Sequence, residues 1–279
     1  MEFTTLNSKV FLHHIGIESK DPEKLARFYS KTMLMDIISL KKNVWHCSGP
    51  NRLLIFVPGE SQKLSFAAFA CFDEHDLQKI KKRVLREGLN LKSFDSLYLE
   101  RGAFSLLDPD GNVIVFGIPL QEKSVKNSFN APLQHLTLQS SDLYKFIDFY
   151  QTKLGFSLSD RVINKEGLIT TCFMRSNSEH HSLACFKSDK AAMDHHSYEV
   201  GDWNLIKDWC DHFSTLGIKL FWGPGRHGPG NNLFVFIQDC DGNKIELSAE
   251  LEIVSSRKVI DWPHEARTLN LWGDALMRS

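Results

Sequence analysis

The sequence predicts an α+β chain of two tandem domains, each built from two βαβββ units curled into an open barrel. Three observations lead there: one half of the chain repeats the other, each half repeats within itself, and every quarter carries the same run of elements. Laid without a gap, the segment from His14 (HIGIESKDPEKLARFYSKTMLM) follows the segment from His135 (HLTLQSSDLYKFIDFYQTKLGF). His14 meets His135, Asp21 meets Asp142, and Phe28-Tyr29 meets Phe149-Tyr150. Further on, 73–88 parallels 202–217, and the turn Asp108-Pro109-Asp110-Gly111-Asn112 parallels Asp239-Cys240-Asp241-Gly242-Asn243. The chain thus divides into an N-terminal domain (1–120), a polar linker (121–131), a C-terminal domain (132–250) and a tail (251–279) with no counterpart in the first half.

Each quarter opens with an apolar–polar alternation expected to form a strand: 12–18, 64–71, 133–139 and 196–200. An aspartate follows as helix N-cap (Asp21, Asp73, Asp142 or Asp202), its short carboxylate suited to accept from the freed N–H groups of a first turn. Apolar residues at helical spacing come next, such as Leu25, Phe28 and Tyr29, or Phe146, Phe149 and Tyr150. Short strands separated by turn residues complete the unit. Such a unit has an apolar sheet face that it cannot cover alone. Units therefore pair and curl around a shared space, with helices outside. Polar residues facing that space are where chemistry is expected.

Composition narrows the function. Lys and Arg total 33 against 34 Asp and Glu, a formal net charge of −1, which lacks the basic excess a nucleic-acid binder needs. No apolar run reaches the roughly 20 residues of a membrane-spanning helix, and the opening MEFTTLNSKV has none of the features of a secretory signal. Six cysteines without a CxxC pair argue against a thiolate zinc site and fit buried free thiols. These features point to the cytoplasm, without nucleic acid or membrane as partners. The surplus is histidine: twelve, with doublets at His13-His14, His180-His181 and His195-His196.

The repeat sorts them. His135 lies early in the first strand of the third unit, and His196 takes the matching place in the fourth. Glu246 lies in the last strand of the fourth unit, sharing a face with Lys244. Two neutral imidazoles and one carboxylate are the donor set of a non-haem iron(II) facial triad, which leaves positions open for substrate and oxygen. Mixed nitrogen and oxygen donors suit iron(II), with manganese(II) as the other choice. In the first half, His14 is present but Ala67 stands in the place of His196 and Val115 in that of Glu246. That half is expected to be a metal-free copy. His13 and His195 are expected on the opposite strand faces in structural roles, and His46, His75 and His212 on the surface.

Over its whole length the chain resembles the type I extradiol ring-cleaving dioxygenases, catechol 2,3-dioxygenases among them, of the vicinal-oxygen-chelate (glyoxalase/bleomycin-resistance) superfamily. The stretch GPGRHGPGNNLFVFIQDCDGNKIEL, residues 223–247, is close to that family's signature before its glutamate ligand. The resemblance implies iron ligation by His135, His196 and Glu246, an acid–base role for His181 and a substrate hydrogen bond from His227. It implies cleavage of a catechol-type ring beside its vicinal hydroxyls, using O2, in the breakdown of aromatic compounds. It implies a homo-oligomer, dimer or tetramer. One departure is clear: Phe236 replaces the family tyrosine that hydrogen-bonds a catecholic oxygen, and Cys240 replaces a common proline. Phe221-Trp222 occupies the stretch where acid-binding relatives carry an arginine, which favours an aromatic or apolar-substituted ring over a carboxylated one. Trp222, Asn231 and Phe236 are expected to line the substrate pocket.

The tail, with Trp262 and Trp272, is expected to close over the barrel mouth as a lid or to pack at a subunit interface. Three other readings stand beside the catechol one. They are a dioxygenase acting on a hydroquinone or aminophenol, a metal-dependent isomerase or transferase, and a non-catalytic protein that binds an aromatic ligand.

Overall fold

The computed structural model describes residues 9–120 and 129–277. The start of the chain, on which the signal-peptide reading rests, and most of the expected linker lie outside the described residues. Four βαβββ units follow one another. The first is β1 (Val10–Ser19), α1 (Pro22–Thr32), β2 (Asp36–Lys41), β3 (Val44–Gly49) and β4 (Arg52–Pro58). The second is β5 (Lys63–Cys71), α2 (Glu74–Arg86), β6 (Lys92–Ser93), β7 (Phe104–Leu107) and β8 (Val113–Gly117). The third is β9 (Leu133–Ser140), α3 (Leu143–Ile147), β10 (Ser157–Ile163), β11 (Ile169–Arg175) and β12 (Leu183–Lys187). The fourth is β13 (Ala192–Glu199), α4 (Trp203–Thr215), β14 (Trp222–Arg226), β15 (Leu233–Gln238) and β16 (Lys244–Ala249). The tail adds β17 (Ile260–Pro263) and the short α5 (Ala266–Leu269).

The predicted aspartates start the helices. The side chains of Asp21, Asp73, Asp142 and Asp202 each accept from the backbone N–H three residues on, satisfying a donor with no partner inside the helix. α3 passes at once into a π-helical turn, Asp148–Lys153, which still buries Phe149 and Tyr150.

Two open sheets result, of order β2-β3-β4-β1-β5-β8-β7-β6 and β14-β15-β16-β13-β9-β12-β11-β10-β17. In each, the first strands of paired units run antiparallel at the centre, β1 against β5 and β9 against β13. One apolar core continues from the first half into the second, through Tyr29, Phe56, Phe69, Phe146, Tyr150 and Trp209. Each such side chain contributes about 1.5–3 kcal/mol by leaving water. The halves also exchange hydrogen bonds. Tyr29 donates to Asp239 at 3.0 Å, and its counterpart Tyr150 donates to Asp108 at 3.1 Å. Both aspartates sit in the repeated turns, where each also accepts two backbone N–H groups and a glycine at positive φ reverses the chain. His212, expected on the open surface, is half-buried and donates from Nε2 toward the carbonyls of Lys31 and Thr32 in the other half. Among the described residues no helix is long and apolar enough to cross a membrane.

Candidate metal centre and its cavity

Strand register decides which side chains meet. In the central pair of the second sheet, His135 lies opposite Ser197 and Thr137 opposite His195. Residues directly opposite share a face, so His135, Thr137, His195 and Ser197 look the same way. β16 runs parallel to β13 with Ser197 beside Glu246, which brings the carboxylate to that face. Donor atoms of His135, His195 and Glu246 all lie within 4.8 Å of one another. His135 Nε2 is 2.9 Å and His195 Nε2 3.2 Å from the same Glu246 oxygen, Oε2.

The expectation for His196 therefore does not hold, nor does the structural role given to His195. β13 begins at Ala192, four residues before the expected start, and places His196 on the face turned toward the other half. There His196 Nε2 shares a hydrogen bond of 3.0 Å with the Tyr29 hydroxyl, and the two rings stack. Burial pushes the His196 imidazole down to about 3, aided by His195 and His135, so it is neutral. The in-phase counterpart of His195 in the first half is Phe66, opposite Gly16 as His195 is opposite Thr137.

Outer partners orient the donors. His195 Nδ1 contacts Asp194 at 2.6 Å, and that carboxylate also accepts from Lys244 and Gln139. His135 Nδ1 lies 3.3 Å from Gln134 Oε1. Both Nε2 atoms are thereby aimed at Glu246, as ligand imidazoles are when their second nitrogen is held. Asn232 donates to Glu246 Oε1 at 3.2 Å and to Ser248 at 3.0 Å, fixing the carboxylate plane. Burial alone would raise the Glu246 carboxyl, but His135, His195 and His227 outweigh it and hold it well below the ordinary carboxylate range. For His195, burial would lower the imidazole, but the hydrogen bonds it donates to Asp194 and Glu246 outweigh that and raise it; for His135 burial wins and lowers it. Two buried imidazoles around one ionised carboxylate, each ring steered from behind, suit a divalent cation with mixed nitrogen and oxygen preference.

A cavity opens above these three residues. Its walls include Phe173, Phe186, Trp222, Phe236 and Leu269, with His181 and His227 among the polar members. His181 is buried, with its ring centroid 4.2 Å from that of His135. Burial holds its imidazole well below the ordinary value, reinforced by His135 and His180. His227 Nε2 stands 3.6 Å from Glu246 Oε1, and its ring stacks flat on Phe234 at 3.9 Å. Its Nδ1 donates to the Leu269 carbonyl, so the tail reaches the cavity rim. Phe236 faces Glu246 across the strand pair and meets His195 edge-on at 5.1 Å. Asn231, expected in the pocket, is exposed: positive φ turns it outward and Asn232 inward.

Sequence reasoning missed three contributors to this neighbourhood: Asn232, Asp194 and the buried His180-Asp160 pair, in which His180 Nε2 lies 3.0 Å from Asp160. One signal for the last was available, since His180 and His181 form a doublet in a strand-connecting segment. Asp160, in the run Ser157-Leu158-Ser159-Asp160-Arg161, looks like an ordinary solvent-facing strand charge.

Residues 133–247 match the Glyoxalase/Bleomycin resistance protein/Dioxygenase superfamily. Metapyrocatechase 2 of Cupriavidus necator is 28% identical over 231 residues, 75% of this chain and 70% of that protein. An iron-dependent extradiol dioxygenase of Rhodococcus jostii (strain RHA1) is 25% identical over 247 residues, covering 80% of this chain and 81% of the relative. The fold is that of homoprotocatechuate 2,3-dioxygenase from Brevibacterium fuscum, solved with 3,4-dihydroxyphenylacetate. The TM-score is 0.83 at 19% identity, over 98% of this chain and 91% of that one.

Proposed function

With residues 133–247 carrying a domain of the glyoxalase/bleomycin resistance protein/dioxygenase superfamily, we propose that this chain is an extradiol ring-cleaving dioxygenase of small catechols. The observation that carries this reading is the convergence of His135, His195 and Glu246 beneath an aromatic-walled cavity. These three residues would hold the metal, and iron is favoured by the iron-dependent relative. Bound there, iron(II) would supply open coordination positions for two vicinal oxygens and for O2.

The chain's own residues do the rest. Phe173, Phe186, Trp222 and Phe236 offer ring faces and edges for an aromatic substrate and exclude water from it. His181 is neutral and lines the cavity, so its imidazole can take the proton of a substrate hydroxyl and later return it. His227, held by the Leu269 carbonyl on one nitrogen, presents the other toward the region beside Glu246, where it can hydrogen-bond a substrate oxygen. Phe236 offers no hydroxyl, which leaves that hydrogen bonding to the two histidines. Among the described residues neither lysine nor arginine lines the cavity, so a carboxylated ring finds no cation among them. The preferred substrate is an uncharged catechol bearing an apolar group.

Oxygen consumption by the iron(II)-loaded protein with a panel of catechols, hydroquinones and aminophenols tests this reading. Uptake is expected with alkyl- or aryl-substituted catechols, with a yellow semialdehyde product and a poor response to carboxylated rings. No uptake with any catechol in a sample shown to contain iron would overturn it.

A further inference from the structure

Two apolar clusters reach the cavity above the candidate metal centre. Phe186, Trp222, Phe236 and Leu269 belong to the larger, Phe173 and Ala184 to the smaller. His181 stands edge-on to Phe173 at 5.2 Å, so the smaller wall is shared with a polar ring. Three members of the larger wall come from strands of the sheet: Phe186 from β12, Trp222 from β14 and Phe236 from β15. Leu269 does not. It ends α5 in the tail, is 7% exposed, and is the tail's one contribution to the cavity wall among the described residues. Its place is therefore set by whatever docks the tail, not by the sheet that carries His135, His195 and Glu246.

Three sets of contacts dock it. The nearest is an exchange of backbone hydrogen bonds with the end of β14 and the loop after it. Gly228 donates to the Thr268 carbonyl at 3.0 Å, and Leu271 donates to the Arg226 carbonyl at 2.8 Å. These bonds bracket Leu269, whose own carbonyl accepts from His227. The second set centres on Asp160, 1% exposed on β10, which accepts from Trp262 Nε1 and from Arg257 at 2.8 Å each. Trp262 links the two sets. Its ring packs on the cluster of Val162, Phe173 and Ala184, and it also covers Gly228. A Cβ on Gly228 would lie 2.9 Å from that ring and 2.8 Å from the Thr268 carbonyl, so only a residue without a side chain fits there. The third set lies beyond Leu269: Trp222 Nε1 donates to the Asp274 carbonyl at 2.8 Å, and Ala275 and Leu276 pack on the larger wall.

We propose that Leu269 sets the largest ring substituent the cavity accepts, and that Trp262 and Asp160 are positioning residues that hold it there. This deepens the dioxygenase reading and rests on it for the substrate's orientation. With two vicinal oxygens turned toward His135, His195 and Glu246, the remaining ring carbons face the walls. An apolar substituent gains most against the larger apolar wall, which Leu269 bounds on the tail side. The volume that Leu269 leaves, rather than a polar contact, then ranks the substituents. One methylene too many or too few in an apolar pocket changes selectivity by about 10–200-fold.

Binding of methylcatechol and phenylcatechol to the iron(II)-loaded full-length protein, measured by calorimetry under nitrogen, tests this without turnover. Leu269→Ala is expected to move the affinity ratio about 10-fold toward the phenyl compound, and Leu269→Phe about 10-fold toward the methyl compound. Opposite shifts from one position are what a volume limit gives and a general loss of packing does not. Trp262→Ala should act in the direction of Leu269→Ala but by less, and should add little to it in the double variant. Trp262→Phe keeps a ring over Gly228 and should restore most of the selectivity. In air, the ratios of kcat/KM should follow the same order. Unchanged ratios in both Leu269 variants, or shifts of the same sign, would overturn the proposal. Full additivity of Trp262→Ala with Leu269→Ala would overturn the positioning role. Failure of both catechols to bind would overturn the subsite itself. Binding with the expected ratios, but no oxygen uptake by the unsubstituted chain, would uphold the subsite and overturn the dioxygenase reading.

Discussion

The two halves of the molecule place different residues at the same register positions. In the second half His135, Thr137, His195 and Glu246 share one face of the central strands. At the equivalent places the first half has His14, Gly16, Phe66 and Val115. Phe66 takes the register place that the His195 imidazole takes in the second half, and it fits because its neighbour is glycine: a Cβ on Gly16 would lie 2.4 Å from the Phe66 ring. Val115 packs with Ala68, Leu99 and Ala103 in a small apolar cluster that Phe66 joins from its edge. His14 remains, buried, sharing a hydrogen bond with His13 and facing the Phe66 ring edge-on. One fold thus supports either an apolar core or a polar donor cluster in the same concavity, and three side chains decide which. The donor cluster is the costlier choice, because buried imidazoles and a carboxylate lose water that an apolar filling never held.

The largest effect should come from giving the second half a residue of the first. Glu246→Val removes the shared carboxylate, and bound metal should fall from about one per chain to background by metal analysis. Oxygen uptake should drop at least ~10³-fold, since the chemistry depends on the metal. A chain with Glu246→Val that retained iron and activity would break the comparison outright.

Next in size is the paired test of the histidine doublet. His195→Phe copies Phe66 and should abolish metal binding. His196→Gln should leave metal content intact while costing ~1–2 kcal/mol in urea unfolding, because Tyr29 loses a buried partner but keeps Asp239. The reverse outcome, metal lost with His196 and kept with His195, would refute the assignment of ligands.

This doublet also marks how far the sequence could be read. The four units, the aspartate N-caps and the repeated turns were legible because each rests on local chemistry: a cap, a helical period, a glycine at positive φ. The fold class followed from repetition of those local signals. The repeat placed His135 and Glu246 at matching positions of their units, and the structure brings the two together at 2.9 Å. The choice between His195 and His196 was not legible. β13 is covered on both faces, by the cavity on one side and by the first half on the other, so alternation of polarity carries no information about facing. Only pairing with β9, which sets Ser197 opposite His135, fixes the phase, and a single strand's sequence does not contain its partner's register. Asn231 and Asn232 pose the same problem in a loop, where a left-handed residue inverts the facing. The tail's Arg257 and Trp262 were hidden for a third reason: their partner, Asp160, lies about a hundred residues earlier in the chain.

A smaller effect should separate the halves by packing alone. Gly16→Thr restores in the first half the residue found at Thr137, but here its side chain meets the Phe66 ring instead of an imidazole. A loss of ~1–3 kcal/mol is expected from overpacking, read as a lower midpoint in urea. Metal content and oxygen uptake should be unchanged, because the substitution lies in the other sheet. Combining it with Phe66→Leu should recover part of the loss, since the smaller side chain frees the space the ring took. Full additivity of the two losses would mean that Phe66 and Gly16 do not share that space, and the match with His195 and Thr137 would then rest on register alone.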